Sequence, residues 1–127
     1  MEKLIFQQSE DTGNKIKWFC VVDGVNFEFY IPKESVPTPW PKRIKVTLSE
    51  NELGFWYHYH DRLITNPIYA VVEKFDIHSE TIQYHPIGEE KEWKIGKPYI
   101  PSSLLSSPSP EILYIKVEWD YSKGNWE

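Results

Sequence analysis

The clearest alternation of apolar and polar residues runs from Lys15 to Ile31 and is interrupted once, at Asp23-Gly24. Asp and Gly tolerate positive φ angles, so this dipeptide predicts a two-residue type I′ turn between two antiparallel strands. The turn sets the register, and because side chains alternate along a strand, one face receives only apolar pairs. These pairs are Val22 with Val25, Cys20 with Phe27, Trp18 with Phe29, and Ile16 with Ile31. The other face carries Val21 with Asn26, Phe19 with Glu28, and Lys17 with Tyr30.

Three further segments, 43–48, 55–60 and 112–121, also have the composition or the two-residue period of a strand. In the first, the inward row is Ile44, Val46 and Leu48. In the last, the apolar row is Leu113, Ile115, Val117, Trp119 and Tyr121. The polar residues between them, including Glu118, are expected to face solvent, as is Glu28 of the hairpin.

The segment 67–75 fits two different structures. Asn66 and Pro67 suit the start of a helix, and Ile68, Val71, Val72 and Phe75 follow helical spacing. As a strand, the same segment continues to a turn at Ser79-Glu80. Phe75 and Ile77 then share a face with Ile82 and Tyr84, while His85 faces Lys74. We favour the strand and keep one short helix near 67–75 as the alternative.

Together these segments predict an all-β fold, a single antiparallel β-barrel or β-sandwich of about six to eight strands formed by one domain, 1–127. Four prolines in residues 32–41 exclude a helix or central strand there. Residues 98–110 are rich in proline and serine and are expected to form a long loop. A short strand is expected near Trp93 to Ile95.

The net charge of −5 argues against a nucleic-acid partner for the molecule as a whole. The charge is uneven, because residues 15–45 carry six basic and three acidic groups, and the chain from 46 onward carries seven and thirteen. Cys20 is the one cysteine, so no internal disulfide can form. With no apolar run long enough to span a membrane and no signal-peptide pattern, we expect a cytoplasmic protein.

The segment VPTPWPKR, 36–43, is the first candidate for a binding site. Its prolines stiffen an extended loop around Trp40, and Lys42 and Arg43 follow directly. An indole displayed on a rigid loop is suited to contact a protein, a sugar or a base. Alternatively, Trp40 folds back and caps one end of the core.

The segment FWYHYHD, 55–61, is the second candidate, because His58 and His60 share one face of a strand and can bind the same metal ion. His78 and His85 are too far apart along their ladder to share a metal ion with each other, and one of them could join His58 and His60 only if the fold brings the strands together. The face opposite the histidines carries three rings, and it is the better candidate for the core, so we expect His58 and His60 to point outward.

The chain contains no glycine-rich phosphate loop, nucleophile elbow or paired-cysteine motif. We therefore predict a non-enzymatic binding or interaction module without a cofactor, using Trp40, Lys42 and Arg43, together with Trp56 and the neighbouring 61–67 loop. The partner is a protein or a small molecule. One alternative is a metal-binding protein or metal-dependent enzyme using His58 and His60. Another is a small-molecule carrier whose cavity is lined by rings, namely Trp18, Phe27, Phe29 and Trp119.

Overall fold

The computed structural model describes residues 2–51 and 67–121, which form one antiparallel sheet of eight strands. In chain order the strands are β1 (Glu2–Asp11), β2 (Lys15–Val22), β3 (Val25–Pro32), β4 (Arg43–Ser49), β5 (Ile68–Ile77), β6 (Thr81–Pro86), β7 (Tyr99–Pro101) and β8 (Ile112–Asp120). In space their order is β3-β2-β1-β4-β8-β5-β6-β7. The predicted all-β class is confirmed.

The sheet curls until its two ends approach each other, giving a half-barrel. The N–H of Gly96, which precedes β7, donates a 2.7 Å hydrogen bond to the carbonyl of Tyr30 on β3. A Cβ at Gly96 would lie 3.2 Å from the Cβ of Tyr30, so the absence of a side chain permits this approach.

The segment predicted as either strand or helix is strand β5, so the helix alternative is wrong. Within the described residues, helical structure is limited to three single 3-10 turns, Lys33–Ser35, Glu90–Glu92 and Ser102–Leu104. None of the helices found there has the length and apolar character needed to cross a membrane.

The predicted β2–β3 hairpin is confirmed pair by pair, from Ile16 opposite Ile31 to Val22 opposite Val25. Asp23 and Gly24 have φ angles of 50° and 80°, as a type I′ turn requires. Its inner face supplies a large part of the core, since Trp18 and Phe27 are fully buried.

The core lies on the concave side of the sheet, where rings from four strands pack together. Phe6 of β1 meets Phe27 edge to face with ring centroids 4.9 Å apart, and Trp18 lies 6.4 Å from Trp119 of β8. The predicted inward rows of β4 and β8 are buried from Ile44 to Leu48 and from Leu113 to Trp119. Aromatic pairs of this kind add roughly 0.5–1.5 kcal/mol each beyond the area that they bury.

Two strands were not expected from the sequence. β1 lies between β2 and β4, where it pairs with both neighbours. β7 lies within the segment expected to be a long loop, and it pairs with β6 over only three residues. The strand expected near Trp93 to Ile95 is absent from the described structure, where a 3-10 turn ends at Glu92 instead.

A β-bulge at Phe75 changes the expected register of β5 on β6. Lys74 faces Tyr84, whereas the next pair is Asp76 with Gln83, so Phe75 is the extra residue. His85 consequently faces Glu73 and not Lys74. Phe75 was expected beside Tyr84 in the core, but its side chain is 63% exposed.

The outer face of β4 and β8 is more deeply covered than the alternating pattern suggested. Glu118 was expected to face solvent, but it is 3% exposed. Its carboxylate lies 3.3 Å from the ammonium of Lys116 and 3.9 Å from that of Lys45. A buried carboxylate needs such partners, because desolvation of an unpaired charge costs several kcal/mol.

Candidate binding site

The loop from Lys33 to Lys42 joins β3 to β4 and carries Trp40 near one end of the sheet. Two of its residues are buried and anchor it, Val36 and Pro41. Between these anchors the chain contains two prolines, Pro37 and Pro39, and the Thr38-Pro39 bond is cis. Proline fixes φ, so much of this loop has little backbone freedom.

Two hydrogen bonds hold the backbone on either side of Trp40. The hydroxyl of Tyr121 donates to the carbonyl of Pro39 at 2.9 Å. The indole N–H of Trp18, itself fully buried, donates to the carbonyl of Pro41 at 3.2 Å. The donors come from the end of β8 and from β2, so elements distant in sequence set the position of Trp40.

Trp40 is 38% exposed, and its indole is presented at the surface. The ammonium of Lys33 lies 5.2 Å from the ring centroid, within the range of a cation–π contact worth about 0.5–1 kcal/mol at an exposed site. Lys33 is held there by Asp11, 2.8 Å from its ammonium. The hydrogen bond from Lys33, and then that from the N–H of Gly13, lower the pKa of Asp11.

The basic residues predicted beside Trp40 differ in their environments. Lys42 is exposed. Arg43 is half-buried, with its Nε 3.2 Å from a carboxylate oxygen of Asp120, which faces it across β4 and β8. Of the predicted site residues that the structure describes, Trp40 and Lys42 therefore share an accessible surface, whereas Arg43 is occupied by an ion pair.

The remaining predicted site residues, Trp56, His58 and His60, lie outside the described residues, as does the 61–66 part of the adjoining loop. Among residues 2–51 and 67–121, no three His, Cys, Asp or Glu side chains are grouped to hold one metal ion.

The four rings expected to line a carrier cavity are all buried in the core, and they pack against other rings there. A separate pocket of about 490 Å³ lies at the end of β4 opposite to Trp40. Leu48, Leu104, Leu105 and Leu113 contribute apolar side chains to it, and the rest of its lining is polar. The sequence pattern gave no signal for this pocket, because its walls come from four separate segments of the chain.

Lys17, on the outer face of the β2–β3 hairpin, is paired with neighbouring carboxylates. The ammonium of Lys17 lies 3.2 Å from Glu10 and 3.5 Å from Glu28. The hydrogen bond to Glu10 is the largest of the contributions that raise the pKa of Lys17. Tyr30 also donates to Glu28, at 3.1 Å. These carboxylates would oppose a phosphate backbone laid across this face.

Comparison of the chain with family models, with curated proteins and with solved structures gave no match.

Proposed function

We propose that the protein is a non-enzymatic binding module whose main anchor is Trp40, and that its partner is another protein. The observation that carries this proposal is the fixed display of an indole on a loop whose flanking carbonyls are both hydrogen-bonded to distant elements. The side chain of Trp40 is 38% exposed, so part of its ring is available to a partner.

The fixed loop lowers the cost of binding. Ordering a mobile loop or side chain on association opposes affinity, and a preorganised contact avoids part of this cost. Tryptophan is also enriched among the few interface residues that contribute most of the binding free energy. A protein partner with a recess for the indole fits these properties, and Lys42 adds a positive charge at the rim of the contact.

The experiment first identifies proteins retained by the immobilised chain and then measures purified candidates by calorimetry. Trp40→Ala is expected to weaken binding by about 30-fold or more, the range of an interface hot spot. Tyr121→Phe keeps the ring but removes the hydroxyl that fixes Pro39, and it is expected to weaken binding by a few-fold.

Phe19→Ala is the matched control, because Phe19 is exposed to a similar degree, 36%, but lies on the outer face of β2. It should bind like the unmodified protein. If Trp40→Ala retains full affinity while its circular dichroism spectrum is unchanged, Trp40 is not the anchor.

A further inference from the structure

A second surface, on the outer side of β5, β6 and β7, carries rings and uncharged polar groups in one continuous row. We call it the ring row, and it consists of Phe75, His78, Gln83, His85, Trp93 and Tyr99. Gln83 and His85 lie on the same face of β6, and Tyr99 of β7 is the register partner of Gln83. The bulge in β5 places Phe75 beside His85.

The rings of the row are in mutual contact. Phe75 stacks on His85 with ring centroids 3.8 Å apart and planes inclined by 13°. Trp93 lies 5.9 Å from the same imidazole, and its indole N–H donates to the carbonyl of Gly88. At the other end, His78 lies 5.6 Å from Tyr99. The row therefore has two groups of rings, one on each side of Gln83.

The side chain of Gln83 joins the two groups. Its amide nitrogen lies 3.1 Å from Nε2 of His85, and it donates to this imidazole nitrogen in the tautomer that protonates Nδ1. Its carbonyl oxygen lies 3.5 Å from Nε2 of His78, which is then the donor. Gln83 is only 7% exposed, so this amide is a buried support that orients both imidazoles.

Rings of the row remain accessible despite these contacts. Phe75 is 63% exposed and Tyr99 is 45% exposed. Packing against the core does not account for a side chain with this exposure. Exposed rings that are contiguous and interspersed with hydrogen-bonding groups are typical of ligand-binding surfaces.

The charge around the row excludes one class of ligand and favours another. Residues 67–101 carry six acidic and four basic side chains, a local charge of −2, which opposes a polyanion. The polar groups within the row are an amide and imidazoles, which bond to hydroxyls without requiring a charge. The negative faces of the rings attract the weakly positive C–H groups of a sugar ring.

We propose that the ring row binds a neutral oligosaccharide chain, with one sugar unit stacked near Phe75 and another near Tyr99. Same-face positions on a strand are about 7 Å apart, so the two ring groups suit successive parts of an extended chain. This site is independent of Trp40, which lies on the β3–β4 loop, and one proposal can fail while the other holds.

The test is isothermal titration of the full chain with cello-, xylo-, manno- and chito-hexaose, each raised to millimolar concentration. We expect binding of at least one hexaose, and Phe75→Ala and Tyr99→Ala should each weaken it about tenfold or more. Both side chains are exposed, so the fold should persist, which circular dichroism verifies. Phe19→Ala, which lies outside both proposed sites, is the control and should bind as the unmodified protein does.

The proposal is overturned if none of the four hexaoses binds, or if binding survives both ring substitutions unchanged. A short oligothymidylate and a proline-rich peptide are titrated in parallel. Binding of either one in place of the sugars would assign the ring row to single-stranded nucleic acid or to peptide, and would equally overturn the carbohydrate proposal.

Discussion

Replacing Trp18 by Phe tests whether the buried indole both fills the core and fixes the loop that presents Trp40. Trp18 is fully buried, and its N–H donates to the carbonyl of Pro41 at 3.2 Å in a buried position. Phe keeps an aromatic ring in the same place but has no donor. The substitution therefore removes one hydrogen bond and a limited volume, without introducing a charge.

The expected loss of stability has two parts. The smaller ring leaves roughly 40 Å³ unfilled, which costs about 1 kcal/mol at about 24 cal/mol per Å³ of cavity. Removal of the donor from the buried carbonyl of Pro41 costs about 1–3 kcal/mol. The free energy of unfolding of Trp18→Phe should thus fall by about 2–4 kcal/mol.

Equilibrium unfolding in urea, followed by far-ultraviolet circular dichroism, measures this loss as a shift of the midpoint at constant slope. Phe29→Leu is the control, because Phe29 faces Trp18 across β2 and β3 and also loses ring volume in the core. It should cost about 1 kcal/mol, as expected for a modest reduction of core volume.

Limited trypsin digestion gives a second readout that is specific to the loop. Lys42 is exposed directly after Pro41, so a loosened loop should be cut faster there in Trp18→Phe than in Phe29→Leu. Equal stability losses and equal cleavage rates in the two variants would refute the role assigned to the Trp18–Pro41 hydrogen bond.

Two further predictions follow from shifted pKa values. Burial, followed by the charge of Lys97, lowers the pKa of His85 below 6.5, although Glu73 and Glu90 act in the opposite direction. The unfolded chain then takes up this proton first as the pH falls, so the free energy of unfolding decreases below about pH 6.5. His85→Gln should lose less stability than the unmodified protein between about pH 7.5 and about pH 5.5 in urea titrations, and equal losses would contradict this account. Burial raises the pKa of Cys20 to about 11, so iodoacetamide at about pH 8 should label the native protein far more slowly than the urea-unfolded chain by mass spectrometry. Similar labelling rates would show that the thiol is accessible.

The parts of the fold that could be predicted from sequence are those in which local turn chemistry and strand period agree. Asp23-Gly24 defines both the turn and the register, and each apolar pair of the β2–β3 hairpin follows from it. β1 has no comparable signal. Phe6 is buried but its neighbour Ile5 is 38% exposed, so two consecutive apolar residues hide the alternation. Its position between β2 and β4 depends on pairing with residues distant in the chain.

The exposure of Trp40 could be predicted only in part, because it too depends on contacts with residues distant in the chain. The prolines around Trp40 indicate a stiff loop, but they do not determine whether the indole faces solvent or the core. That depends on Tyr121 and Trp18, whose donors reach Pro39 and Pro41 from the end of β8 and from β2. Likewise, Arg43 was predicted to bind a partner because it lies near Trp40 in the sequence. Its ion pair with Asp120 could not be predicted, because it depends on the register of β4 with β8.

The ring row shows how one residue can change which side of a sheet carries a site. An alternating pattern predicts which face of a sheet each side chain lies on only if each residue has one partner on the neighbouring strand. A β-bulge inserts a residue without a partner, so the prediction fails there. Phe75 is the extra residue of β5, so it has no partner across the ladder, and its ring stacks on His85. Counted from the turn at Ser79-Glu80, a ladder without the bulge would pair Phe75 with Tyr84 and His85 with Lys74. The sequence contained every ring of this surface, but their assembly into one row depends on a bulge that the pattern of apolar residues did not reveal.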